Sequence, residues 1–246
     1  MNQNVCVAMS LSPSLLLPAL LRHGRRLHCV VRTSVTSSQR RQHACSSRRC
    51  IDLSTRNWLE QVVIREKLCP FAPPLLQTPG LLRIVSSNAT SDEEAVIDVA
   101  QEVQLLMDND NDSLHETTLV VLDHPAFVRD FRDFVRLSWK LQEEAIGATY
   151  LNQLQLVLFH PRATHQTYGE GGQDDDDDAA ADYTIRSPYP TIHLLREKDV
   201  LRAVTSGYPH LDTLPDRNKA KFIAQGLDIC KARLADCHVV DTPLKK

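Results

Sequence analysis

The stretch from Leu81 to Leu122, LLRIVSSNATSDEEAVIDVAQEVQLLMDNDNDSLHETTLVVL, decides the fold. It opens on an apolar run, Leu81 to Val85, of strand length. Ser91-Asp92-Glu93-Glu94 follows, a capping-box pattern in which a hydroxyl and a carboxylate three residues apart satisfy backbone donors at a helix start. Val96, Val99, Val103 and Leu106 then recur at alternating steps of three and four, which predicts a helix over about Asp92 to Met107. Asn109 to Ser113 ends it, and Thr117 to Leu122, β-branched and apolar, reads as a buried strand. Strand, helix and strand in so short a span make a βαβ crossover, which sets the two strands parallel.

The alternation continues downstream. Pro125 opens a helix whose face is Phe127, Phe131, Phe134, Ser138, Leu141 and Ala145, up to a stop at Gly147. Leu154 to Phe159 is a further apolar strand halted by Pro161, and Ile192 to Leu195 is a candidate fourth. Upstream, a helix over about Thr55 to Leu68 stops at Cys69-Pro70, because a residue before proline avoids the helical region. A last helix, about Pro215 to Leu234, turns Ile223, Leu227, Cys230 and Leu234 inward. The expectation is therefore an α/β fold, with three to four mainly parallel strands and helices packed on the sheet, in a single domain over 51–240. A ferredoxin-like α+β sandwich is the alternative.

Ahead of this domain the composition changes. Met1 to Cys50 holds eight Arg and many Ser but no Asp, Glu or Lys, and the first acid is Asp52. An Arg-rich, acid-free start with an apolar stretch, Leu11 to Leu21, reads as a disordered transit peptide for mitochondrion or plastid; a basic tail is the plain alternative. A secretory signal fits less well, since a charged start is missing and Pro13 and Pro18 interrupt the apolar run. No run reaches the 18 or so apolar residues of a membrane span. Without residues 1–50 the chain has 20 basic residues against 31 acidic ones, a formal charge of −11. That balance argues against nucleic acid as a partner. Only Cys69, Cys230 and Cys237 remain, without the paired spacing of a disulfide framework.

Between third and fourth strands, Arg162 to Thr184 has no periodicity and carries the run Asp174 to Asp178. Such a run repels itself and reads as a solvated acidic insertion; it lacks the spaced ligands and turn glycine of a calcium loop. Beyond it, Arg186-Ser187-Pro188-Tyr189-Pro190-Thr191-Ile192-His193-Leu194-Leu195-Arg196-Glu197 sets Arg, Ser, Tyr and His on a backbone stiffened by two prolines. With Leu68-Cys69-Pro70-Phe71-Ala72, Glu116-Thr117-Thr118-Leu119, Phe159-His160-Pro161 and Arg217-Asn218, in this order, it resembles the domain-of-unknown-function family 1415, over about Asn57 to Leu227. The resemblance implies a compact single domain and no established activity. Here the segment after Pro161 is longer and more acidic than the family pattern, and Ile185 replaces a polar residue.

Candidate site residues follow from strand ends. In a parallel sheet ligands lie beyond the carboxyl ends of the strands, where Ser86-Ser87-Asn88, Asp123-His124 and His160 fall. The expectation is an enzyme acting on a small anionic metabolite. Arg186 is its anion clamp, aided by Ser187, Tyr189 and Arg196; His160 and His193, with His124 behind them, move protons, and Glu116 orients. The plain alternative leaves each His hydrogen-bonded in the core, with Arg186 pinning the acidic loop or pairing with Glu116. Cys69 is a thiol candidate that packing explains equally, since a helix C-terminus disfavours a thiolate. Cys69, His160 and His193 are chemically able to bind zinc but lack close ligand spacing, and no glycine-rich phosphate loop is present. The competing class is a non-catalytic ligand-binding or assembly module whose acidic surface recognises a basic protein.

Overall fold

A computed structural model describes residues 38–108, 116–165 and 179–239. The acidic run Asp174 to Asp178 and most of the expected transit peptide lie outside the described residues. Eight α-helices and four strands are described: α1 (Ser38–Trp58), α2 (Ala72–Gln77), β1 (Leu82–Ser87), α3 (Asp92–Asp108), β2 (Thr117–Leu122), α4 (Pro125–Val128), α5 (Phe131–Lys140), β3 (Leu154–Phe159), β4 (Thr191–Arg196), α6 (Glu197–Val204), α7 (Leu214–Gln225) and α8 (Leu227–Asp236). Leu59–Ile64 and Leu141–Ile146 extend α1 and α5 as wider, π-helical turns. The boundary expected near residue 50 falls inside α1. Among the described residues, no helix is long and apolar enough to cross a membrane.

The fold is α/β, one sheet of four strands in the order β1-β2-β4-β3. β1 and β2 are parallel, as the crossover through α3 requires. The cap of α3 is a variant of the expected box: Ser91 Oγ accepts from Glu94 N–H, while the Glu94 carboxylate accepts from Thr90 N–H and hydroxyl. The sheet departs from the expectation in pairing. β2 and β3 are each antiparallel to β4, so β1, β2 and β3 run the same way, but β4 enters between β2 and β3. Only one of the three pairings is therefore parallel. The long connection from β3 through 160–190 lets the chain return at the carboxyl edge and insert, and local periodicity does not encode that gap. The ferredoxin-like alternative is not adopted.

Alternation divides the sheet into two faces. Val120, Leu122, Leu156, Leu158, Ile192 and Leu194 pack against Val99, Val103 and Leu106 of α3, Phe131 and Phe134 of α5, and Leu141. On the other face Leu82, Ile84, Leu119 and Phe159 meet Trp58, Leu59, Val62, Val63, Phe222 and Cys230. β2 is buried along its whole length, since it has neighbours on both edges and helices on both faces.

Two expected helices are each broken by one residue. Asp130 caps α5, its carboxylate accepting from Arg132 N–H at 2.7 Å, and so separates α4 from α5. Gly226, at φ 87° and ψ 152°, separates α7 from α8. The break resets the helical phase: Phe222 is buried where Ile223 was expected, and Ile223 is exposed. Glu66, near-buried, ties this layer together. Its carboxylate meets Lys221 at 2.7 Å, Arg233 at 3.2 Å and the Gln225 amide at 2.8 Å.

Candidate functional site

The strand ends assemble first. His160 follows β3 and is fully buried, its ring 5.4 Å from that of Phe131 and 5.3 Å from that of Phe134. Its Nδ1 accepts from Arg162 N–H at 2.9 Å, so the proton sits on Nε2, which donates to the Phe127 carbonyl at 2.9 Å. Burial pushes its pKa down to about 4 against the backbone hydrogen bond, leaving it neutral. Both ring nitrogens are occupied within the protein.

Arg186 is similarly engaged. Its Nε donates to the Ala163 carbonyl at 3.0 Å, an Nη approaches the Asp182 carboxylate at 3.4 Å, and the guanidinium lies 4.6 Å over the Tyr183 ring. Asp182 also accepts from His165 N–H at 2.8 Å. These bonds stitch 163–165 to 182–186 and close the neck of the insertion. The Arg186 carbonyl accepts from Trp58 Nε1 at 2.9 Å. Ser187 is buried, donating to the Tyr189 carbonyl at 2.6 Å, and the Tyr189 ring lies 5.5 Å from that of His238. His124 caps α4, its Nδ1 accepting from Ala126 N–H at 3.3 Å.

The remaining expected residues stand elsewhere. Glu116 precedes β2 and Arg196 ends β4, at the opposite edge of the sheet. There Arg196 binds Asp199 at 2.5 Å, and Glu116 faces Arg202 at 3.8 Å. The nine expected side chains thus do not all converge. Among the described residues no three His, Cys, Asp or Glu come together as metal ligands.

Two of them, His193 and Cys69, do share a space. His193 lies mid-strand, opposite Leu119 and Val157, on the face of the sheet that α1 and α7 cover. Between that face and the helices is a cavity of about 150 Å³. Leu82, Leu119, Val157, Phe159 and Leu195 form its floor, Trp58, Leu59 and Val63 one wall, and Phe71, Leu75 and Leu76 of the α2 segment another. Cys69 lines it where the chain leaves the first helix, before Pro70. Its polar lining is completed by Thr117, Thr184, Asn218 and Lys219.

Within this apolar space the polar groups are held in fixed roles. Thr117 Oγ1 donates to the Leu194 carbonyl at 2.9 Å and lies 2.7 Å from His193 Nε2. Asn218 donates to the Leu68 carbonyl at 3.0 Å. Thr184 donates to the Ala181 carbonyl at 2.8 Å and accepts from His165 at 2.8 Å. Among the described residues Lys219, half-buried on α7, makes no ion pair and is the one cation lining the cavity. Lys219 is not among the residues expected from the sequence. The signal was available, since Pro215, Lys219 and Phe222 share a helical face, but aligning the helix on Ile223 turned that face aside.

A family model described as protein of unknown function (DUF1415) matches residues 50–232, and the chain belongs to that family. No curated protein and no solved structure matches the chain.

Proposed function

We propose that the domain binds a small organic acid in this cavity, its apolar body enclosed between sheet and helices and its anionic end paired with Lys219. The observation that carries the reading is a lone cation, without an ion-pair partner among the described residues, at a space otherwise lined mostly by hydrocarbon. A volume of about 150 Å³ accommodates a body of roughly benzene size. The domain's overall negative charge opposes an anion at long range. Salt screens that field within about 8–10 Å, whereas a partly buried contact with Lys219 is screened much less. The anionic ligand expected from the sequence is retained, with Lys219 in the role first given to Arg186. In an enzymatic reading, His193 and Cys69 are the candidate reacting groups. The Arg-rich, acid-free amino terminus supports a mitochondrial or plastid location for this activity, which import of a fluorescent reporter fused to residues 1–50 tests.

Trp58 supplies the binding assay, because it is 2% exposed and lines the cavity whereas Trp139 is 57% exposed. In a Trp139→Phe protein, 4-methylbenzoate is expected to change Trp58 emission saturably. Lys219→Met, which keeps the aliphatic stem, is expected to weaken it about tenfold, roughly 1.4 kcal/mol. Uncharged toluene is expected to bind both proteins equally. Absence of saturable binding, or equal anion affinity without the lysine, refutes the reading.

A further inference from the structure

The cavity contains a second polar instruction, carried by His193. A hydroxyl has one proton, and that of Thr117 is directed to the Leu194 carbonyl, an atom able only to accept. Thr117 Oγ1 must then accept from the imidazole at 2.7 Å, which fixes the proton of neutral His193 on Nε2. Its Nδ1 is left as a bare acceptor. No hydrogen bond to it from a described residue is seen, and His193 is half-buried, so the ring is not sealed off. The accessible space beside this ring is the cavity. With no carboxylate against the ring, burial holds its pKa at about 4, so the acceptor persists throughout the neutral range.

We infer that the ligand carries a hydrogen-bond donor, a hydroxyl or an N–H, as well as its anionic group: His193 Nδ1 accepts from the donor and Lys219 pairs with the anion. The ligand class is therefore a compact hydroxy acid or amide-bearing acid with an apolar body. Thr117 is a positioning residue, acting through the imidazole tautomer. A site built around a fixed acceptor discriminates against an isostere lacking the donor, because the acceptor is then left unpaired in an apolar surround. This inference rests on the cavity being the binding site proposed above.

The test compares 3- and 4-hydroxybenzoate with 3- and 4-methylbenzoate, pairs of similar size and equal charge, by the Trp58 emission assay in the Trp139→Phe protein. The better hydroxyl isomer is expected to bind about fivefold more tightly than its methyl counterpart, the worth of one net hydrogen bond. His193→Leu is expected to reverse that order. Thr117→Val, similar in shape but without the acceptor, is expected to shrink the preference and let the ring sample the Nδ1–H tautomer. Long-range proton–nitrogen NMR of His193 in the otherwise unaltered protein provides a readout independent of any variant folding, and an Nδ1–H tautomer there overturns the inference. Binding of both analogues with the methyl compound preferred overturns it while leaving the site intact. Failure of all four to bind overturns the site and the inference together.

Discussion

Substituting His160→Phe separates structural from catalytic use of the imidazole that closes β3. The phenyl ring keeps the contacts to Phe131 and Phe134, whose ring centres lie 5.4 and 5.3 Å away. It removes the partner of the Phe127 carbonyl and of the Arg162 N–H. Leaving the buried Phe127 carbonyl unsatisfied costs about 1–3 kcal/mol, and the Arg162 N–H, on an exposed residue, adds less because water can replace its partner, so near pH 7.5 the variant is expected to lose about 1–4 kcal/mol. Acid changes this difference in a predictable direction. Above the ordinary histidine pKa of 6.5, His160 is neutral in folded and unfolded chains alike. Below it the unfolded chain binds a proton that the folded one refuses until about pH 4, so the native protein loses stability as pH falls from 6.5 toward 4. At pH 5 that loss is about 2 kcal/mol for this residue. Phenylalanine does not titrate, so the penalty of the substitution is expected to shrink by about 2 kcal/mol between pH 7.5 and 5. His165 and His193, also held at about 4 by burial, destabilise both proteins in the same direction and cancel in the comparison. Urea unfolding of both proteins at the two pH values measures it. A penalty independent of pH, or an imidazole resonance of His160 titrating near 6.5, refutes the reasoning.

Burial raises the carboxyl pKa of Glu66, but hydrogen bonds from Lys221 and Gln225 and the charges of Arg233 and Lys221 outweigh it, leaving a net lowering. Its stabilisation is therefore present above the ordinary carboxylate range and lost as pH falls below it. Glu66→Ala is expected to cost about 2–3 kcal/mol in urea unfolding at neutral pH, less than for a fully buried pair because Lys221 keeps access to water. Arg186→Ala, opening the neck of the insertion, is expected to cost about 1–3 kcal/mol while leaving 4-methylbenzoate affinity within about twofold; collapse of binding in a folded protein restores the anion-clamp role. Gly226→Ala meets no heavy atom within 4 Å of the new Cβ, so its expected loss of about 1–3 kcal/mol in thermal unfolding is backbone strain alone. Timed alkylation at pH 7.5, read by peptide mass, is expected to label Cys69 at the cavity before Cys230 and Cys237. Burial pushes both latter thiols up, that of Cys237 to about 11, and equal slow labelling of all three counts against this order.

The elements that the sequence announces most clearly are those whose neighbours are near in the chain. Val96, Val99, Val103 and Leu106 show their buried face in a single helical repeat, and β1, α3 and β2 follow one another with no choice of partner. β4 is the opposite case. Its prolines, Pro188 and Pro190, end just before the strand begins at Thr191, and the stiff segment they make delivers β4 into a gap between strands formed far earlier. Nothing in Thr191 to Arg196 names Leu119 and Val157 as flanking neighbours, so neither the antiparallel pairing nor the position of His193 was legible. The expected edge site failed to converge for the same reason. Glu116 and Arg196 are brought close to each other by β4, at the edge away from His160 and Arg186.

The insertion of β4 also explains why the polar pair at the centre of the sheet belongs to ligand binding more readily than to stability. Thr117 and His193 occupy a surface whose other members are largely hydrocarbon. Taking an imidazole out of water there has a desolvation cost, and a single bond to Thr117 returns only part of it. Leucine at position 193 would avoid that cost and fill part of the cavity. His160 differs, because both of its nitrogens are bonded to backbone groups, one of them the buried Phe127 carbonyl. Of two neutral histidines, one buried just past β3 and one half-buried on β4, the first completes the protein's own hydrogen bonding and the second leaves an acceptor open. An open acceptor facing a cavity adds nothing to the isolated fold, and it gains a role when the partner comes from outside the chain.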